Sequence, residues 1–395
     1  MESGRPGAVM VRFGELFLKS EPVRRRFMNI LVRNIRAALT SHAIGYSIEE
    51  LRSRILVRTD DSLSAIPVMS RIFGVVDIAP VFLAPASMEN LCRLAADLGH
   101  QHLAPGMSFA IRARRDQVQG FTSQELGAEA GGAVIDRVPG ITVDLTRPDY
   151  EIFIEARKEG GFVYDTRIPG PGGLPYGTQG SLLALLSAGI DSPVASWLMM
   201  KRGVTVRFLY IDTGRYAGRD CYANVIRNLS ALSTWTPGLH LDLMVIHAQP
   251  FFDRLMADAE PRLRCVLCKR GMLRMASLFA EKAGCSGIIT GDNLGQVATQ
   301  TLHNIVTISS GIPLPVIRPL IGHDKEDIIT LARKIGTFSQ DPGDTSCSVV
   351  PPRPVTAAGK KIVERIEERL GTDGMFGDLI TSGEMVRVFN GRIMP

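Results

Sequence analysis

The chain has no apolar run near the roughly 18 residues needed to cross a bilayer, so no membrane span is expected. Its first residues, MESGRPGAVMVRFGE, lack the apolar core and small-residue cleavage site of a secretory signal. A cytoplasmic protein without membrane contact is therefore expected. Six cysteines in 395 residues are too few for a disulfide framework. No internal repeat or low-complexity tract occurs, which argues against a solenoid or a disordered linker protein. A strong charge of either sign is also missing. The net charge of +5 is too mild to establish a nucleic-acid partner by itself.

What is present is a globular composition, 45% hydrophobic and 22% charged, on a chain long enough for two or three domains. The basic excess is uneven. Residues 1–60 carry eleven Arg or Lys against six Asp or Glu, a surplus equal to that of the whole chain. Residues 7–60 read strand, helix, strand: AVMVRFGELFL, then Arg24 to Thr40 with apolar residues at helical spacing, then SRILVRT. Residues 70–170 add strands IAPVFLA, SFAIRARR, ITVDL and YEIFIEARK, with helices near 87–100 and 123–137. Thr122 followed by Glu125 signals a capping box at the second of these.

RIPGPGGLPYGTQGS (167–181) reads as a linker, with Pro, Gly and no apolar period. After it the rhythm changes. SLLALLS, VTVRFLYID, LDLMVIH and GIITG alternate with helices, and the strands are apolar on both faces. That pattern predicts a doubly wound parallel α/β sheet. The expected domains are 1–65 (a small α+β domain), 66–170 (a second α+β unit), a linker at 171–180, and 181–395.

LLSAGIDSPVAS (185–196) lies between a buried strand and a helix, where open α/β sheets bind ligands. Its Ser-x-Gly-x-Asp-Ser turn offers backbone N–H groups, two hydroxyls and a helix N-terminus, which suit an anion such as pyrophosphate. The turn has neither the Gly-Lys-Ser/Thr of a Walker loop nor Gly-x-Gly-x-x-Gly. The plainer alternative is a tight turn capped by Asp191 or Ser192.

LLSAGIDSPVASWLMMKRG resembles the pyrophosphatase loop (PP-loop) of ATP-dependent adenylating enzymes, and most of all that of the tRNA 4-thiouridine synthetases, or tRNA sulfurtransferases. KRGMLRMA, TGDNLGQVATQTLHN, PVIRPLIGHDKEDIITLARKIGT and VRFGELFLKS resemble further blocks of that family, in order along nearly the whole chain. The resemblance implies a ferredoxin-like domain, a THUMP domain that grips tRNA, and a PP-loop domain that uses ATP and Mg2+ to activate uridine 8. It implies ATP contacts at Leu185, Leu186, Ser187, Gly189, Asp191, Ser192, Tyr210, Ile211, Lys269, Gly291 and Gln300, with Asp191 positioning the metal or the loop. The family's members often form homodimers. Two glycines are usual where this chain has Ala188-Gly189; a left-handed backbone at Ala188 would cost about 1 kcal/mol.

RCVLCKR holds Cys265 and Cys268 at ligand or redox spacing. Beside Lys269 and Arg270 their thiols are expected to have depressed pKa values. Three readings stand: two packing residues, a zinc site with Cys347, or an iron–sulfur cluster. The resemblance implies the last, a 4Fe-4S cluster on Cys265, Cys268 and Cys347 whose open iron carries sulfide. Relatives keep a sulfur-transferring cysteine where this chain has Cys347 in DTSCSVVPPRP. Many relatives lack the Cys265–Cys268 pair and use a C-terminal rhodanese domain instead; only about 40 residues follow Pro354 here, too few for one. The expected donor is sulfide or a sulfur-carrier protein. Cys92, Cys221 and Cys285 are assigned to packing.

Arg24, Arg25, Arg26, Arg33 and Arg36 on the first helix, and Arg112, Arg114 and Arg115 in FAIRARR, are candidates to track RNA phosphates. The expected reaction is adenylation of the uridine 4-oxygen followed by displacement of AMP by sulfur. The rivals are a PP-loop enzyme making 2-thiouridine and a non-catalytic tRNA-binding protein.

Overall fold

The computed structural model describes residues 6–15, 19–51 and 53–395. These fall into two units. The first comprises the described residues of Met1–Lys19 and Ala38–Gly172, and the second comprises Ser20–Ala37 and Gly173–Pro395.

The first unit is built on β1 (Ala8–Phe13), β2 (Ser47–Leu51), β3 (Arg54–Arg58), β4 (Val75–Ala84), β5 (Ser108–Asp116), β6 (Thr142–Val143), β7 (Tyr150–Arg157), β8 (Gly160–Tyr164) and β9 (Ile168–Pro169). They form one sheet in the order β2-β3-β1-β4-β8-β7-β5-β6, with β9 on β4. The fully buried run Ala8–Val11 explains why β1 is central, between β3 and β4. The expected strand continued to Leu18, but Leu16, Phe17 and Leu18 lie outside the described residues. Helix α1 (Glu21–Ser41) is split between the units at Ala37; α2 (Ser62–Met69), α3 (Met88–His102) and α4 (Ser123–Arg137) belong to the first.

Leu91 and Ala95 of α3 and Leu126, Ala130 and Val134 of α4 pack on Phe109, Ile152 and Ile154 of β5 and β7. The capping box forms as the spacing predicts. Glu125 N donates to Thr122 Oγ1 at 3.1 Å and Thr122 N to Glu125 Oε2 at 2.6 Å, a contribution of about 1 kcal/mol.

This unit buries a carboxylate together with a guanidinium, Glu155 and Arg157. Glu155, 2% exposed, takes bonds from Arg157 Nη2 (2.7 Å), Arg54 Nη2 (3.3 Å) and Tyr164 Oη (3.1 Å). Burial alone pushes its carboxyl pKa up, but the two guanidinium groups outweigh that and hold it below the usual value.

The second unit holds a seven-stranded sheet. Its strands are β10 (Ser181–Leu185), β11 (Thr205–Asp212), β12 (His240–His247), β13 (Ile288–Ile289), β14 (Val316–Ile317), β15 (Glu384–Phe389) and β16 (Arg392–Ile393). The order is β14-β13-β10-β11-β12-β15-β16. The first five are parallel; β15 and β16 add antiparallel at the β12 edge. The helices are α5 (Asp191–Lys201), α6 (Cys221–Ser233), α7 (Gln249–Asp258), α8 (Arg264–Lys282), α9 (Leu302–Ser309), α10 (Lys325–Ile335), α11 (Lys360–Leu370) and α12 (Asp373–Thr381). The chain is thus α/β with a doubly wound, largely parallel sheet after an α+β unit, the class the strand pattern predicts. No helix among the described residues is long and apolar enough to cross a membrane.

The segment that reads as a linker is packed. Leu174, Tyr176 and Thr178 are buried. The Gly203 carbonyl accepts from the N–H groups of Gly177, Thr178 and Gln179 at 3.0, 2.9 and 3.0 Å. Gly203 has φ +84°, and a Cβ there would lie 2.1 Å from Thr178 Oγ1 and 2.9 Å from Pro175 O.

Two stability outcomes follow. Gly203→Ala combines a left-handed residue with a backbone clash and should lose about 2–4 kcal/mol in a urea melt; an unchanged midpoint contradicts the clasp. Glu155→Gln strands two buried guanidinium groups and should cost about 3–5 kcal/mol at neutral pH. The stabilisation from Glu155 is full above the unfolded pKa of about 4.3 and fades as pH falls through its lower folded value. Wild-type stability should therefore drop on the acid side, and the Gln variant should lack that component of the slope. Parallel acid limbs would refute the assignment.

Candidate active site

β10 ends at Leu185 on the carboxyl edge of the parallel strands, and α5 begins at Asp191. Leu186 N still donates to Leu209 O at 2.9 Å, so the turn proper starts at Ser187. Ser187 N donates to Ser192 Oγ at 2.8 Å, and the two hydroxyl oxygens are 3.0 Å apart. Asn228 of α6 donates through Nδ2 to the carbonyls of Ser187 (3.1 Å) and Gly189 (3.3 Å). Ala188 is not among the non-glycine residues with positive φ, so the Ala-Gly form of the turn carries no left-handed strain. On the far side, a Cβ at Gly291 would lie 2.7 Å from Ser192 N and 2.9 Å from Asp191 C. Only glycine lets the chain after β13 come this close. The result is a strand-to-helix turn at a helix N-terminus, suited to an anion.

The residue after Gly291 organises the neighbouring side chains. Asp292 accepts from Lys269 Nζ (2.7 Å), Thr290 Oγ1 (2.9 Å), Arg318 Nε (3.2 Å) and, loosely, Gln300 Nε2 (3.4 Å). Burial pushes its carboxyl up, but Lys269, Thr290 and Arg318 together hold it below the usual range. Asp292 is therefore a fixed negative charge that places two cations beside the turn. Asp191 is paired with Lys325 Nζ at 2.8 Å. Register places Leu185 opposite Leu209, so Tyr210 and Ile211 come next along the same edge, both buried. Burial, then Asp212, pushes the Tyr210 phenol up, so it stays protonated at neutral pH.

Ser187, Gly189, Asp191, Ser192 and Gly291 are thus one contact set. Lys269 and Gln300 meet at Asp292 beside it. Leu185, Leu186, Tyr210 and Ile211 line two adjacent strand ends. Asp292, Arg318, Lys325 and Asn228 were not singled out from the sequence. Three of them lie inside the quoted blocks, but no spacing rule marks them.

Cys265 and Cys268 lie in the first two turns of α8. Cys347 faces Ala217 in an isolated antiparallel bridge, flanked by Gly218 N→Ser346 O (2.8 Å) and Ser348 N→Tyr216 O (3.0 Å). The expectation of depressed thiol pKa values is corrected. Burial pushes both Cys265 and Cys268 up, and the charge of Cys347 adds to it. Lys269 opposes this only weakly; its ammonium is taken by Asp292. Arg270 is turned to Glu367 and the carbonyls of Thr307 and Ser310. Cys221 also senses Cys347, after burial and with Asp344 and Asp212, and its thiol is pushed up as well. A fourth thiol therefore stands near that of Cys347. Among the described residues, no three His, Cys, Asp or Glu side chains are placed to hold a metal ion.

In the first unit, Arg112 and Arg114 line a cavity of about 800 Å³ with Gln124, Gly127, Gly131 and Val143. Arg112 is tied to Glu151 (2.7 Å) and Leu145 O (2.9 Å), and Arg115 to Val118 O (2.7 Å). Arg25, Arg26, Arg33 and Arg36 are exposed; Arg24, less so, pairs with Glu21 at 2.6 Å.

Comparison with known proteins agrees with this layout. The family description "Thiamine biosynthesis protein (ThiI)" matches residues 177–371, "ThiI ferredoxin-like domain" matches 8–79, and "THUMP domain" matches 85–164. The chain is 39% identical to a "Probable tRNA sulfurtransferase" of Methanosarcina acetivorans, covering 98% of this chain and 95% of that one. It is 37% identical to its counterpart in Methanothermobacter thermautotrophicus, covering 97% and 98%. Among solved structures, a 4-thiouridine synthetase–RNA complex with bound ATP superposes with a TM-score of 0.87 at 28% identity, covering 96% of this chain and 99% of that one. With these matches over nearly its whole length, the chain belongs to the ThiI family of tRNA sulfurtransferases.

Proposed function

We propose that the second unit binds ATP with its phosphates in the 187–192 turn and passes AMP to the 4-oxygen of uridine 8 in tRNA, after which sulfur displaces AMP to give 4-thiouridine. The observation that carries this reading is the turn itself: a helix N-terminus with Lys325 and Lys269 held beside it by Asp191 and Asp292. The solved relative described as a 4-thiouridine synthetase with RNA and ATP supports it.

The chemistry needs charge compensation more than covalent help. The uridine oxygen attacks the α-phosphate, and negative charge grows on the departing pyrophosphate. In this reading the turn's N–H groups and the two lysines would offset that charge. Magnesium entering with the nucleotide needs only one or two carboxylates besides phosphate oxygens; Asp191 supplies one and fits that demand, and the ion adds charge neutralisation. Tyr210 and Ile211 lie where an adenine ring rests in such sheets.

The sulfur end is held by Cys265, Cys268 and Cys347. Three thiols, those of Cys265 and Cys268 partly buried and that of Cys347 exposed, would supply the ligand type of a four-iron cluster, although among the described residues no three side chains are placed for a single ion. A cluster bound there would offer one iron without a protein ligand, open to sulfide; a persulfide on exposed Cys347 is the cluster-free alternative. The tRNA would be gripped by the first unit around Arg112 and Arg114 and by the exposed arginines of α1, through phosphates rather than base edges.

Asp191→Ala should lower tRNA-dependent ATP–pyrophosphate exchange about a hundredfold and remove 4-thiouridine from the product tRNA, read by nucleoside mass spectrometry. Normal exchange in that variant, or 2-thiouridine as the wild-type product, contradicts the reading. Cys265→Ser, Cys268→Ser and Cys347→Ser should each keep exchange and lose thiolation. Iron in anaerobically purified protein that disappears in all three variants supports the cluster; iron-free protein that thiolates with sulfide rules it out.

A further inference from the structure

Asn228 is 1% exposed on the inner face of α6, and it is a costly residue to place there. Its Oδ1 has no hydrogen-bond partner. An orphaned buried acceptor loses its hydration without recompense, so a leucine of similar size would pack there at lower cost. The amide nitrogen offers the compensation. Both of its bonds go to the turn, to Ser187 O at 3.1 Å and Gly189 O at 3.3 Å.

Those two carbonyls flank Ala188, at the point where the chain reverses from β10 toward α5. A peptide plane has its C=O and N–H on opposite sides. Holding the carbonyls of Ser187 and Gly189 toward α6 turns the N–H groups of Ala188 and Ile190 the other way, out of the turn. The carbonyls would otherwise be free to swing toward an anion and repel it. Ser192 fixes the same turn from the helix side, through Ser187 N at 2.8 Å. The turn is therefore pinned at both ends by side chains that are themselves buried.

We propose that Asn228 is a positioning residue for the phosphate chain of the nucleotide: it fixes the peptide orientation of the turn so that N–H groups, not carbonyls, meet the phosphates. This rests on the reading of the turn as the ATP site. Asn228 does not touch the ligand and donates no proton; its contribution is to remove the reorganisation that a floppy turn would undergo on binding.

The test compares two ligands that differ only in phosphates. Asn228→Asp keeps size and turns the donor into a carboxylate facing two carbonyls. Asn228→Leu keeps volume, loses the donor and removes the orphan acceptor. Both should raise the Kd for ATP about tenfold or more, the scale of two buried hydrogen bonds. The Kd for adenosine, read by competition, should stay within about twofold, and the Leu variant should melt no lower than wild type. ATP affinity equal to wild type in either folded variant overturns the assignment. Loss of ATP, adenosine and thermal stability together in both variants also overturns it, in favour of a purely structural role. Failure of wild-type protein to bind ATP would instead remove the reading of the turn on which the assignment rests.

Discussion

A single carboxylate, its side chain 13% exposed, ties together parts of the second unit that are far apart in the chain. Asp292 holds Lys269 from α8, Arg318 from the stretch after β14, and Gln300 from the loop before α9. It can do so because Gly291, one residue earlier, has no Cβ to keep the chain away from Asp191 and Ser192. A charge this buried would be prohibitive alone; two cations and a hydroxyl make it stable. Removing the carboxylate would take away the ion pair of Lys269, whereas Arg318 would keep its bond to Ser309 Oγ at 2.7 Å.

The same balance runs through the rest of the site. Before any ligand arrives, Lys325 is paired with Asp191 and Lys269 with Asp292. An anion arriving at the turn would therefore meet lysines already paired with carboxylates. The sulfur side behaves oppositely. Cys265 and Cys268 have no cation close enough to offset their burial, and they stay protonated. The turn after β10 and the two cysteines of α8 thus sit under different electrostatic conditions within one unit.

Much of the architecture was legible from local pattern. The apolar runs of β10, β11 and β12 and the capping box at Thr122 follow from periodicity and short-range chemistry, which a sequence displays directly. What escaped was long-range. β15 and β16 come from the last residues of the chain yet pair at the β12 edge, and nothing in their own composition names that partner. The segment after Pro169 reads as a free connector because it is rich in Gly and Pro, but its few apolar residues are buried and Gly203 clasps its backbone. The pKa expectation for the cysteines failed for a related reason. Adjacency in sequence to Lys269 and Arg270 did not reveal that both cations are committed to acids elsewhere. Cys221 was read as packing because only the antiparallel pairing of 216–220 with 344–348 brings it near Cys347.

The central claim is that the turn at the end of β10 uses ATP to turn a uridine oxygen into a leaving group carried by AMP. It is tested most directly by following that oxygen. Substrate tRNA whose target uridine carries a heavy oxygen isotope at its 4-position would be incubated with the protein, ATP, Mg2+ and a sulfide source, and the AMP weighed by mass spectrometry. The account predicts one heavy oxygen in AMP for each 4-thiouridine formed. Unlabelled AMP, with the heavy oxygen recovered in pyrophosphate or water, would contradict it.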